Sequence, residues 1–224
     1  MNSNNSNNKN TNGSKTELIF NLFTEWYELR MPKMLEFRDF NEAKFTNLWS
    51  NWWFAKKEQQ VFMDAYLDKY RILFSVKNPN SFKPEGLNPK NTLIWNIGWM
   101  ILWDQISRNI FRGTSRAYAT DNKARKLVEE LMPEWENLPV PIRVSMILVY
   151  IHSEDIADLA ITNKLLQDIQ KPMEKYPHVW VPLKGIAQNH SDRMRMFGRI
   201  PERNKFLGRE STEEEINYMK SMYS

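Results

Sequence analysis

The 224-residue sequence predicts an all-α protein of about eight to ten helices, and three observations carry that prediction. Apolar residues recur every third or fourth position along most segments. Stretches bearing Pro or Gly separate those segments. The one short run with β-branched character, residues 142–151 (IRVSMILVYI), has no second strand candidate nearby, so helix is the consistent assignment.

Taken in order, the first fourteen residues are half Asn and are expected to form a disordered tail ahead of one helical domain over 15–224. Ser14 and Glu17 have capping-box spacing, and Leu18, Leu22, Trp26 and Leu29 follow on one face until Pro32. Phe37, Phe40, Phe45, Leu48 and Trp52 are expected core contacts. From Lys56 to Phe74 a helical stripe of Val61, Phe62, Ala65, Tyr66, Tyr70 and Leu73 is expected to face inward. Residues 77–91 carry three Pro and one Gly and read as a loop.

Thr92 to Asn109 is apolar nearly all round, the pattern of a central buried helix. Trp95, Trp99 and Trp103 recur along it every fourth residue, which helix packing explains more readily than a ligand cradle. Asp121 opens an amphipathic helix that Pro133 stops. Beyond residue 153, Ile156, Leu159, Ala160 and Leu166 are expected inward, and Pro172, Pro177 and Pro182 are expected to break the chain. A helix ends before Gly198, and a second capping box, Ser211 to Glu214, opens a last helix over Thr212 to Met222.

Composition narrows the chemistry. The chain has no cysteine, so disulfides, thiol nucleophiles and thiolate metal sites are excluded. The longest apolar stretch, Leu93 to Trp103, is too short to span a membrane, and the Asn-rich start is no export signal. Cytoplasmic residence is therefore expected, with no membrane partner. The net charge is +4, yet Lys184 to Arg209 alone holds seven Lys or Arg against two acids. The basicity is thus a C-terminal segment on a nearly neutral body, too small overall to argue strongly for nucleic acid.

Three polar clusters stand out. Asp104, Arg108 and Arg112 follow at i+4 spacing, with Asp104 at the end of an apolar helix where a carboxylate needs a partner, local or distant. His152 is followed by Ser153, Glu154 and Asp155, a set that fits an oriented general base or a helix cap. His190 precedes Arg193, Arg195, Arg199, Arg203 and Arg209, which suit recognition of a carboxylate or phosphate, or pairing with internal carboxylates such as Glu154 and Asp104.

The strings DQxxRNxFRGT (Asp104–Thr114), ATD (Ala119–Asp121), HSED (His152–Asp155) and FGRxPxRNxxLGREST (Phe197–Thr212) resemble the domain-of-unknown-function 924 family. Arg143 and His190 also stand where that family's pattern has them. The likeness is strongest over residues 93–216 and absent from the Asn-rich start. It implies a right-handed helical array of the tetratricopeptide-like superfamily, and motifs that gather at one site. The chain departs from the pattern at Glu202, where the family has His, and at Leu159, Val149 and Ser107, where it has Gln, Pro and Pro.

These readings together lead to an expected polar pocket that binds an anionic small molecule or an acidic peptide. Asp104, Gln105, Arg108, Arg112, His190, Arg199, Arg203, Asn204 and Arg209 are its expected ligand contacts. The alternative is a hydrolase or transferase with His152 as the acid–base group and Glu154 as its orienter. RNA binding through the basic segment is the weaker third reading. No cofactor or metal is expected, and the sequence sets no oligomeric state.

Overall fold

The computed structural model describes residues 4–29 and 41–222, and among these the chain is helical with no strand. Pro32, Phe37 and Phe40 lie outside the described residues. Helix α1 (Asn4–Trp26) takes in part of the Asn-rich tract, so Ser14 does not mark its start. A capping box forms only where the preceding backbone leaves the helix, and here it does not. Ile19, Leu22, Phe23 and Trp26 form the buried face of α1.

Helix α2 (Glu42–Asn47) is opened by Asn41, whose side chain accepts from Lys44 N, and runs directly into a π turn, Leu48–Trp53. Helix α3 (Lys57–Leu67) continues as a 3₁₀ segment, Asp68–Ser75. Its buried stripe is Met63, Leu67, Tyr70 and Leu73, whereas Val61, Phe62 and Tyr66 are 68%, 75% and 47% exposed. Apolar residues nearly encircle this helix, so the 3.6-residue period fits two stripes, and the neighbouring elements choose between them.

Helix α4 (Pro89–Ile101) begins with Pro at its first position behind an Asn88 cap. It passes through a second π turn, Leu102–Ile106, into the short α5 (Ser107–Ile110). This rod is the predicted central helix. Trp95, Trp99 and Trp103 pack along it with ring centroids 6.0 and 5.2 Å apart, in core contacts. Helix α1 crosses it closely at Gly98, where any Cβ would lie 2.8 Å from Ile19 Cγ2 and 2.9 Å from Ile19 O.

Helices α6 (Asp121–Leu131) and α7 (Val140–Ile151) follow, the latter buried on almost every side against α6, α8 (Asp158–Met173) and α9 (Pro177–Phe197). In α8 the inward residues are Asp158, Thr162, Leu165 and Ile169. Ile156 and Ala160 are exposed and Leu159 and Leu166 half-buried, because residues 153–157 turn rather than continue the helix and so reset its register. Pro172 and Pro182 are accommodated inside α8 and α9 rather than breaking them, each removing a single donor. Gly198, at φ +66°, ends α9. Two short helices close the chain, α10 (Asn204–Leu207) and α11 (Glu213–Met222). The last cap is Thr212 with Glu215, one residue beyond the expected pair: Glu215 N donates to Thr212 Oγ1 and Thr212 N to Glu215 Oε2. No described helix is long and apolar enough to cross a membrane.

Candidate functional site: two clefts that share His152

The π turn after α4 widens the helix locally, so the consecutive residues Asp104 and Gln105 both face the interior. Asp104 is 1% exposed, and a lone charge there would be prohibitively costly. It is not alone. His152 Nδ1 lies 2.9 Å from Oδ1 and 3.1 Å from Oδ2, Gln105 Nε2 donates to Oδ2, and Arg108 Nη1 stands 3.3 Å from Oδ1. Burial works against the charge, but His152, Arg108 and these hydrogen bonds outweigh it and hold the carboxyl at about 2.

His152 caps the C-terminal end of α7, and the chain leaves the helix immediately after it. Asp155 therefore does not share a face with it: its carboxylate accepts from Ala157 N in a local turn. Burial first, then Arg108 and Arg203, lowers the imidazole pKa, with Asp104 compensating only in part. The ring is neutral at pH 7, donates Nδ1–H to Asp104, and leaves Nε2 unprotonated. Nε2 has no partner among the described residues. His190 stacks edge-on to this ring, 6.1 Å between centroids, and donates Nδ1–H to Ile186 O. Burial, with His152 next, pushes His190 down to about 3.

Arg108 reaches across to Asp121 with two hydrogen bonds of 3.0 and 2.9 Å. Arg203, 7% exposed, donates Nη2–H to His152 O at 2.9 Å, holds Nη1 3.7 Å from Asp121 and lies over the Tyr118 ring. Tyr118, Asp121, His152 and Arg203 line a cleft of about 390 Å³ together with Arg125, Glu154 and Asp155, whereas Arg108 lies outside its lining. A second cleft of about 250 Å³ is walled by Trp52, Trp53, Phe54 and Gln105. His152 lines both.

Of the expected site residues, Asp104, Gln105, Arg108, His152, His190 and Arg203 are gathered here. Glu154 does not orient His152. It takes a bidentate pair from Arg209, at 2.8 and 3.0 Å, and accepts from Ile200 N, forming a clip at the cleft rim. Arg199 and Asn204 lie elsewhere, both donating to the buried Glu215, which also caps α11. Arg112 is held by Asp64 of α3 at the edge of the second cleft. Arg193 pairs with Glu202, so that departure from the family pattern falls outside the lining of either cleft. Most of the basic segment's charge is thus matched internally.

Sequence reasoning missed Arg125, Asp158, Tyr118 and the Trp52–Phe54 wall. Asp158, 1% exposed, takes Arg125 Nε and Nη2 at 2.6 and 2.7 Å and fastens α8 to α6. The available signal was an acid in register with Thr162, Leu165 and Ile169, a core position that demands a buried partner.

A family described as bacterial protein of unknown function (DUF924) matches residues 34–222. Among solved structures, a protein of unknown function, ATU0120 from Agrobacterium tumefaciens, is similar at 27% identity and a TM-score of 0.54. The match covers 76% of this chain and 89% of that one. No curated protein matches.

Proposed function

This chain belongs to the family described as bacterial protein of unknown function (DUF924), and we propose that its first cleft binds a small polar ligand through one anionic group and passes a proton to His152. The carrying observation is the Asp104–His152 pair, 2.9 Å apart, with Asp104 buried behind and His152 on the cleft wall. A neutral imidazole held by Nδ1–H on a buried carboxylate, with Nε2 free, has the form of a general base. Such a group contributes roughly 10²–10⁴-fold where the chemistry uses it. Water or a ligand hydroxyl would give up the proton, the chemistry of a hydrolase or transferase.

Arg203 supplies the cation, since its two contacts leave N–H groups for a carboxylate or phosphate ester. Asp121, Glu154 and Asp155 share the lining, which favours a ligand of low charge over an acidic peptide. Pairing of Arg193, Arg199 and Arg209 with carboxylates argues for a small ligand over RNA, because these cations of the C-terminal segment are already matched. Thermal-shift screening of metabolite mixtures against wild type, Arg203→Met and His152→Asn tests the proposal. A ligand is expected to raise the wild-type Tm, to lose that effect in Arg203→Met, and to turn over only where His152 is present. A ligand that stabilises all three proteins equally overturns the assignment.

A further inference from the structure

The second cleft contains three carboxamides arranged alike. Gln60 Nε2 donates to Ala55 O at 2.8 Å, Gln105 Nε2 to Asp104 Oδ2, and Asn109 Nδ2 to Asp64 Oδ1 at 2.8 Å. A carbonyl or carboxylate oxygen can only accept, so each contact fixes which end of the amide is nitrogen. The three amide oxygens are left without a hydrogen-bond partner among the described residues, and all three side chains line the cleft. Gln105 is 7% exposed as a residue, yet its unpartnered oxygen keeps some solvent access, so it is an acceptor that a ligand in the cleft can reach.

One side of the wall is aromatic, with Trp52, Trp53 and Phe54 beside the apolar Ala55 and Met63. Both π turns among the described residues border it, Leu48–Trp53 giving Trp52 and Trp53 and Leu102–Ile106 giving Gln105. Such turns are rare and concentrate at functional sites. The charged residues at the cleft are already neutralised: Arg108 by Asp104 and Asp121, Arg112 by two bonds to Asp64. A cation would meet two guanidinium groups, and an anion would meet three amide oxygens. An uncharged, donor-bearing, flat group meets neither penalty.

We propose that this cleft is a binding subsite for an uncharged heteroaromatic ring carrying N–H donors, stacked against the Trp52–Phe54 wall and hydrogen-bonded to the oxygens of Gln60, Gln105 and Asn109. The subsite goes beyond the proton-transfer reading and does not need it, because these groups hold the ring whether or not His152 acts. His152 lines both clefts, so a ring seated here lies beside its imidazole.

Adenine is the probe, with purine as the control that keeps the ring and lacks the exocyclic amine. Isothermal titration and saturation-transfer NMR on the full chain read binding. Adenine is expected to bind more tightly than purine. Gln105→Met and Gln60→Met each remove an acceptor and weaken adenine by roughly tenfold, and Trp52→Ala weakens both rings. Gln60 does not touch Asp104, so its variant reports on the subsite even if Gln105→Met disturbs the fold, which circular dichroism melting would reveal. The proposal is overturned if folded wild type does not bind adenine at millimolar concentration, if purine binds as well, or if both methionine variants keep full affinity. The His152→Asn screen in the first cleft reads a separate event, so either proposal can fail alone.

Discussion

Asp104 holds a charge where charge is costly, and the manner of its pairing decides what His152 can do. An Asn at this position keeps the shape but offers an amide that can donate to Nδ1, which moves the imidazole proton to Nε2 and removes the base. It also takes the counter-charge from Arg108, which keeps Asp121. Asp104→Asn is therefore expected to cost about 2–4 kcal/mol in urea unfolding, since breaking one side of a buried pair is strongly destabilising. ¹⁵N chemical shifts should show the switched tautomer. A ring that stays unprotonated at Nε2 in the variant would mean that Asp104 does not set it. The need for a partner at Asp104 was legible in the sequence, because a carboxylate ends an apolar helix. Its partner was not: His152 is 48 positions away, and no spacing rule links the two. The arginines show the same limit. A guanidinium that meets a ligand and one that meets Glu154 or Glu215 look identical in sequence, and for Arg199 and Arg209 the internal carboxylate is the partner.

At the scale of elements, the sequence located helices well because periodicity and Pro or Gly stops are local properties. It misjudged faces wherever two stripes fit, as on α3, where Met63 and Leu67 are buried and Val61 and Phe62 are not. It misplaced the last cap by one residue because S-T-E-E-E satisfies two registers, and only Arg199 and Asn204, meeting at Glu215, distinguish them. The π turns were invisible, being a departure from the period used to find helices. The α1–α4 crossing yields an element-scale prediction. Alanine in a helix ordinarily gains about 0.5–1 kcal/mol over glycine. At Gly98 the new methyl meets Ile19 Cγ2 at 2.8 Å, on a buried β-branched side chain with little freedom in a helix, and Ile19 O at 2.9 Å, which is backbone. The helices must separate, and overpacking of this kind costs about 1–3 kcal/mol. Gly98→Ala is thus expected to lower the Tm, and an unchanged or higher Tm would show that α1 does not rest on α4 at this point.

For the whole molecule, the buried titratable groups set a staged response to acid. Burial first, then the positive groups around it, including Arg203 and Arg193, brings His190 to about 3, and burial with Arg108 lowers His152 as well. An unfolded histidine titrates near 6.5, so between that value and the folded one the unfolded chain binds more protons and stability rises with pH. Read downward, each imidazole removes about 1.4 kcal/mol per pH unit while it is within its window. The carboxylates act with the same sign at lower pH. Asp104 and Glu215, both held at about 2 by their partners, contribute fully above the ordinary carboxylate range and lose that contribution as pH falls through it toward 2. Asp121 is moved upward, chiefly by burial, and offsets part of this. Destabilisation should therefore begin near pH 6.5, above the range where carboxylates alone would start it. His190→Gln removes one titrating ring from the upper window. From pH 6.5 down to about pH 3 its unfolding free energy should slope less steeply than that of wild type, by up to about 1.4 kcal/mol per pH unit, and the two slopes should converge only below that. Identical slopes in the upper window would show that His190 takes up its proton in the folded protein and that the edge-on imidazole pair does not exclude charge.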